Sequence, residues 1–355
     1  MSIPFNLGVL QLSMEPVREI VAMARACEQA GFDTFWLAEA YPWWRKHAFE
    51  ARSSTAILAV IAAETRRIQL GWGIISPYTR HPVQIAMEAR VMQDLAADRF
   101  LLGLGASKIF MKEIGEGQGE KAGPATVMRE SIEIVRGVLA GDRFDYQGKV
   151  FAANVPPLKP DAHTPRGAPP IYIAATGPVL QKMSGRMADG LLTASITTPA
   201  FVRHSRKNME EGARQAGRDP STLVLGSVIV GSISHDSTKG REGAREQAAM
   251  YLANKVQNIG NAADVLLECA GLSLEELRPV ADAMELGGRT AAAKAVSDEI
   301  LRKVCPIAGT PKECIERILE YREAGCTHIL LEIWGEDRVG QAKLFGEKVL
   351  PYLWP

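Results

Sequence analysis

The feature that most constrains this chain is an end-to-end alternation of short apolar runs with amphipathic stretches. Phe5–Leu10, Phe32–Leu37, Arg67–Ile75 and Arg99–Leu104 are near-continuous in their apolar character, the pattern of strands buried on both faces. Each is followed by a helical stretch. In Glu15–Gln29 the residues Val17, Ile20, Val21, Ala24 and Cys27 fall at helical spacing, and Gly31 closes the helix. Ser53–Glu64 begins with a serine cap, and Pro82–Leu95 carries proline in its first turn. Ala125–Leu139 is the fourth helix. Ile171–Ala175, Gly190–Thr193, Leu223–Ser232 and Thr327–Ile333 complete eight strands, with helices at Pro178–Met187, Pro199–Ala216, Thr310–Ala324 and Val339–Leu350. Thr310, Pro311 and Glu313 form a capping-box start. Eight βα units predict an α/β chain closed into a (β/α)8 TIM barrel. A doubly wound open sheet is the rival, but Gly8-Val-Leu-Gln-Leu-Ser13 stands where that fold needs a glycine-rich turn.

Two stretches break the rhythm. Residues 141–169 read as a small hairpin around Gln147-Gly148, then a loop with six prolines, which favours extended chain. Residues 239–303 are rich in Ala, Glu, Leu and Arg, and read as a helical insertion plus the seventh barrel helix. The expected organisation is one domain over residues 1–355 with these two insertions.

Composition narrows the function. With 41 Lys+Arg against 41 Asp+Glu, no global field favours nucleic acid or an anionic membrane. The longest apolar run, Ala56–Ala63, is too short to span a bilayer, and the first residues lack a signal-peptide pattern. Five scattered cysteines without a C-x-x-C pair suit reduced thiols in the cytoplasm. Six histidines without H-x-H or H-E-x-x-H spacing give no metal site.

In a barrel, chemistry belongs where strands end. The first such place holds Glu39 with Trp36, Tyr41, Trp43 and Trp44, which suits a pocket for a flat apolar partner; aromatics plugging the mouth or an oligomer interface fit equally well. The second is Gly71–Pro82, where two glycines would let a ring system approach the backbone, or simply kink a strand before a proline turn. The third, Gly103-Leu-Gly-Ala-Ser107, lacks the third glycine of a dinucleotide loop but leaves little bulk beneath a ligand. The fourth is Ala174-Ala-Thr176-Gly177-Pro178, where the first helical turn could bind an anion or Thr176 could merely cap it. Lys182 and Arg186 lie on the helix that follows.

Together, Gly73-Ile-Ile-Ser-Pro-Tyr-Thr-Arg-His-Pro82, Arg99-Phe-Leu-Leu-Gly-Leu-Gly105, Ile171–Leu192 and Ile307–Leu331 resemble the luciferase-like superfamily. The likeness runs from about Phe5 to the C-terminus, weakening in residues 239–303, and is nearest to the deazaflavin-dependent branch that includes methylenetetrahydromethanopterin reductase. That resemblance implies a flavin-type ring across the barrel mouth, with its phosphate on Thr176, Gly177 and Pro178. It also implies a non-prolyl cis peptide at Gly73–Ile74 and a site lined by Ser107. Three departures stand out: Ala40 where relatives often carry histidine, Leu10 where the reductases carry glutamate, and the stretch near Lys108 where the sugar-phosphate dehydrogenases carry another. Hydride transfer to or from a carbonyl or alcohol also needs a proton partner. Glu39 is the first candidate, with His81, Tyr41 and Lys108 behind it. The expected activity is hydride transfer between coenzyme F-420 and an apolar or aromatic substrate, the latter suggested by Trp43 and Trp44. An FMN-dependent monooxygenase fed by a flavin reductase, and a non-catalytic flavin-binding relative, are the alternatives. A cytoplasmic homodimer completes the expectation.

Overall fold

A computed structural model describes residues 3–39, 51–106, 122–193, 196–257 and 263–353. Eight strands form the closed parallel barrel: β1 (Asn6–Leu12), β2 (Thr34–Ala38), β3 (Gln69–Ile75), β4 (Phe100–Gly105), β7 (Ile171–Ala174), β8 (Gly190–Thr193), β9 (Val224–Ile233) and β11 (His328–Ile333). They pair in that order, and β11 returns to β1. The expected barrel and all eight of its strands are therefore present, with ends differing by one or two residues.

The barrel helices are α1 (Val17–Ala30), α2 (Ser54–Glu64), α3 (Pro82–Ala96), α4 (Pro124–Leu139), α5 (Pro178–Met187), α6 (Pro199–Gln215), α11 (Pro311–Glu323) and α12 (Arg338–Lys348). Their apolar faces pack on outward strand residues such as Leu7, Val9, Phe35, Leu70 and Ile329 to form the main core. The start signals act as expected. Ser53 accepts from the Ala56 N–H at 3.4 Å, and Thr310 and Glu313 cap each other's backbone at the head of α11.

Between β9 and β11 the chain adds α7 (Ser237–Gln257), α8 (Ala263–Ala270), α9 (Leu274–Ala295) and α10 (Asp298–Val304), with a core of their own around Leu252, Leu277, Val280 and Leu301. One correction concerns the seventh place in the helical ring. It is held by α11, between α6 and α12, and not by a helix within residues 239–303. A second concerns β10 (Ile307–Gly309), an unexpected strand that extends the sheet by pairing with Gly231–Ile233 of β9. Three residues are too few to leave a periodic signature.

The other interruption holds a hairpin of β5 (Phe144–Gln147) and β6 (Ala152–Val155). It is pinned to α4 by Glu130, whose buried carboxylate accepts the backbone N–H groups of Lys149, Val150 and Phe151 at 2.9, 2.9 and 3.0 Å. Burial opposes ionisation of Glu130, but these donors and Arg129 outweigh it and hold its carboxyl below the usual value of 4.5. Glu130→Ala would strand three donors and should cost about 3 kcal/mol in urea denaturation. Because the folded pKa is depressed, the wild type keeps this stabilisation above 4.5 and loses it only as pH falls through the lower folded value.

Candidate active site

The inner wall of the barrel carries every second strand residue. Leu10, Trp36, Leu101, Tyr172, Leu192, Val228 and Leu330 form one closed apolar layer. Trp36 lies at its centre, fully buried, edge-on to Tyr172 at 5.3 Å and to His328 at 5.9 Å. Its indole N–H donates to Thr34 Oγ1 at 3.1 Å, and that hydroxyl is 2.8 Å from His328 Nε2. Burial lowers the His328 pKa to about 3, so the imidazole is neutral. This layer is the floor of the mouth.

The glycines expected to admit a ligand ring prove to serve the floor. A Cβ on Gly71 would overlap the Trp36 indole, and one on Gly73 would press on Leu10 at 3.0 Å and Trp36 at 3.3 Å. The Trp36 indole thus lies against β3 from below. Higher up, the register between β3 and β4 shifts between Trp72 and Ile75, and the Gly73–Ile74 peptide is cis, as expected. The shifted segment leans on β4. A Cβ on Gly103 would overlap the Trp72 carbonyl oxygen, and one on Gly105 would lie 2.8 Å from the Ile74 side chain. Gly103 and Gly105 therefore give the bulge its room.

Glu39, directly after β2, is turned toward the loop after β3. Its carboxylate accepts from Arg80 Nη2 at 2.5 Å, while Arg80 Nη1 reaches Glu88 at 2.9 Å. Burial raises the Glu39 pKa, and the Arg80 charge offsets this only in part. His81 caps α3: Nδ1 accepts from the Val83 N–H at 3.2 Å, and the ring stands edge-on to Phe151 at 5.3 Å. Burial lowers its pKa, against a hydrogen bond to the Ala152 backbone. The Thr-Arg-His-Pro run is thus a brace, with Arg80 holding Glu39, His81 capping and Pro82 opening the helix.

At the head of α5, Gly177 takes the cap position without any side-chain hydrogen bond, and Pro178 follows. A Cβ on Gly177 would meet open space. The first turn of this helix thus has no side-chain acceptor at its cap. The Thr176 carbonyl accepts from Gln181 at 3.1 Å. Lys182 and Arg186 turn away from the helix start, Lys182 to Glu211 at 2.6 Å and Arg186 to Gln215 at 2.5 Å. Ala40, Tyr41, Trp43, Trp44, Ser107 and Lys108 lie outside the described residues. Among the described residues, no group of three acidic, histidine or cysteine side chains could hold a metal ion.

One residue escaped the sequence reading. Glu332, at the upper end of β11, shares the inner face with His328 and Leu330 and is 2% exposed. Gln247 Nε2 donates to its Oε1 at 2.8 Å and the Tyr251 hydroxyl to its Oε2 at 2.5 Å. Burial raises its pKa to about 7, against the pull of Tyr251, Trp334, Arg289 and Arg338. The available signal was a lone acid inside His-Ile-Leu-Leu-Glu-Ile, an otherwise apolar strand.

This geometry sits within a wider likeness. The 5,10-methylenetetrahydromethanopterin reductase of Archaeoglobus fulgidus is 29% identical over 343 residues, covering 94% of this chain and 96% of the relative. The F420-dependent glucose-6-phosphate dehydrogenase of Rhodococcus erythropolis is 29% identical over 345 residues, covering 95% and 94%. The solved coenzyme F420-dependent tetrahydromethanopterin reductase of Methanopyrus kandleri superposes with a TM-score of 0.86 at 26% identity, covering 98% and 99%. The luciferase-like monooxygenase family matches residues 1–328, and the chain belongs to that family.

Proposed function

We propose that the protein is an oxidoreductase that transfers hydride between coenzyme F-420 and a small organic substrate. The observation that carries this reading is near-full-length similarity to relatives named for F420-dependent reactions, in a chain whose own mouth fits such a group. The fit rests on two features of this chain. The uncapped start of α5 at Gly177 offers backbone donors to a phosphate, and Thr176 and Pro178 border it. The bulged end of β3 at Gly73 and Ile74, above an apolar floor, offers a flat rest for a ring. When bound, the deazaflavin would supply the hydride chemistry, while the protein orients it and manages protons.

Within this proposal Glu39 orders the loop after β3 through Arg80, and His81 holds α3 in place. Tyr41, Trp43, Trp44 and Lys108 are proposed to border the substrate, and Ser107 the cofactor. An apolar or aromatic substrate remains the reading of Trp43 and Trp44. Fluorescence titration of the full chain should show tighter binding of F-420 than of FMN; equal or reversed affinities would overturn the cofactor assignment. The same titration tests the phosphate loop. Gly177→Val meets no neighbour and suits the extended backbone there, so folding should be unchanged. Its bulk should displace the phosphate and weaken F-420 binding by about tenfold or more, the worth of one charge-assisted hydrogen bond. Unaltered affinity would put the phosphate elsewhere.

We also infer a cytoplasmic homodimer. All five cysteines are free thiols, which suits a reducing compartment. Met87, Val91 and Leu95 form an exposed apolar stripe along α3, beside exposed Val60 of α2. Light scattering should give twice the chain mass for the wild type and a single chain mass for Val91→Lys. A monomeric wild type would contradict the inference.

A further inference from the structure

The ladder between β1 and β11 ends at Val9↔Leu331, although β1 stays paired with β2 up to Leu12↔Ala38 and β11 with β9 up to Ile333↔Gly231. Above that level the two strands no longer bond each other, and a cavity of about 350 Å³ opens at their ends, reaching outward to Glu19, Ala22 and Met23 of α1 and Val339 of α12. That volume holds a small organic molecule. Leu10, Leu12 and Met14 line one side, Glu332 and Trp334 the other, and Arg338 stands at the rim.

Three observations describe what would fill it. The walls are mainly apolar, from Leu10, Leu12, Met14 and Met23. Gln11, 7% exposed, also lines the cavity; its Nε2 donates to Glu15, while its buried Oε1 has no partner and accepts nothing. A ligand bearing an N–H or O–H would satisfy it. The charges are mostly acidic: Glu15, Glu19, Asp337 and Glu332 against Arg338 alone, which is itself paired with Glu15. A phosphate or carboxylate entering here would be repelled.

The groups around Glu332 are Gln247 and Tyr251 from α7, Arg289 from α9, and Arg338 from α12. The two guanidinium groups are engaged on Trp334, Arg289 at 4.7 Å and Arg338 at 5.1 Å from its ring, and Arg289 also donates to Gln247 at 2.6 Å. The side chains that hydrogen-bond the carboxyl, Gln247, Tyr251 and Trp334, are uncharged. They hold it in place without fixing it as an anion, and burial brings its pKa to about 7.

We propose that this cavity is the substrate site, that it takes a small, mostly apolar molecule whose polar group is a neutral or cationic O–H or N–H, and that Glu332 exchanges a proton with that group. The proposal rests on the oxidoreductase reading above. In the exchange, the ligand O–H or N–H bond breaks and the carboxylic O–H of Glu332 forms; the reverse transfer restores both. Tyr251 keeps its hydrogen bond to the other oxygen throughout.

The test uses the full chain with three matched probes, benzyl alcohol, benzylamine and benzoate, followed by ligand-observed NMR. Benzyl alcohol and benzylamine should bind and benzoate should not. Glu332→Gln, which preserves shape, should weaken benzylamine by about tenfold and leave benzyl alcohol within about threefold. Met14→Trp, at the partly exposed rim, should reduce binding of both. Infrared difference spectra between about pH 5 and about pH 9 should show a carboxylic-acid band that is lost near neutrality and is missing from Glu332→Gln. Benzoate binding as tightly as benzylamine, or binding of all three untouched by Met14→Trp, would overturn the site. A band lost in the ordinary carboxylate range would overturn the role of Glu332. None of these readouts needs the cofactor. Probe binding without F-420 binding would fail the functional reading and leave the cavity, while the converse would fail the cavity alone.

Discussion

The packing of Trp36 against bare backbone is the contact on which the rest of the barrel depends. An indole fits at the centre of an eight-stranded barrel only if its neighbours give way, and Gly71, Gly73 and Gly103 do so by having no side chain. Thr34 Oγ1 accepts the indole N–H and is itself held by His328, and Tyr172 closes the layer from the side. The interior is thereby filled by apolar side chains around Leu10 and Leu330. Any ligand must bind above this floor, at the strand ends. This is the general habit of the fold, here traced to one side chain and the glycines that admit it.

Above the floor, two irregularities break the symmetry of the mouth and give it chemistry. One is the register shift of β3, accommodated by Gly103 and Gly105 on β4. The other is the early end of pairing between β1 and β11, which opens a cavity beside Glu332. They are neighbours around the same mouth, with β2 between β1 and β3. On the proposed reading, the first supports the cofactor ring and the second receives the substrate. The insertion helices α7 and α9 take part because Gln247, Tyr251 and Arg289 are the groups that surround Glu332.

Much of this was legible in the sequence. Strands buried on both faces write themselves as continuous apolar runs, so all eight were visible, and proline and capping residues marked where helices start. What escaped follows from physics that a linear reading does not carry. Whether a strand-end glycine also makes room for a neighbouring tryptophan depends on register across strands, as Gly71 and Gly73 do for Trp36. Whether a histidine caps or catalyses depends on where its ring nitrogens point, and those of His81 point to backbone. The cavity beside Glu332 arises from where a ladder stops, a property of two strands more than 300 residues apart. The cis peptide at Gly73–Ile74 was reached through family resemblance, since glycine at a strand end implies by itself only a bulge.

The most direct measurement of the central claim is the identity of the ligand that this protein retains when purified from a host that makes both F-420 and FMN. Absorbance and mass of the released small molecule identify it without any assumption about substrate. The account predicts a deazaflavin chromophore and the mass of an F-420 species. A yellow FMN spectrum with the mass of FMN would contradict it.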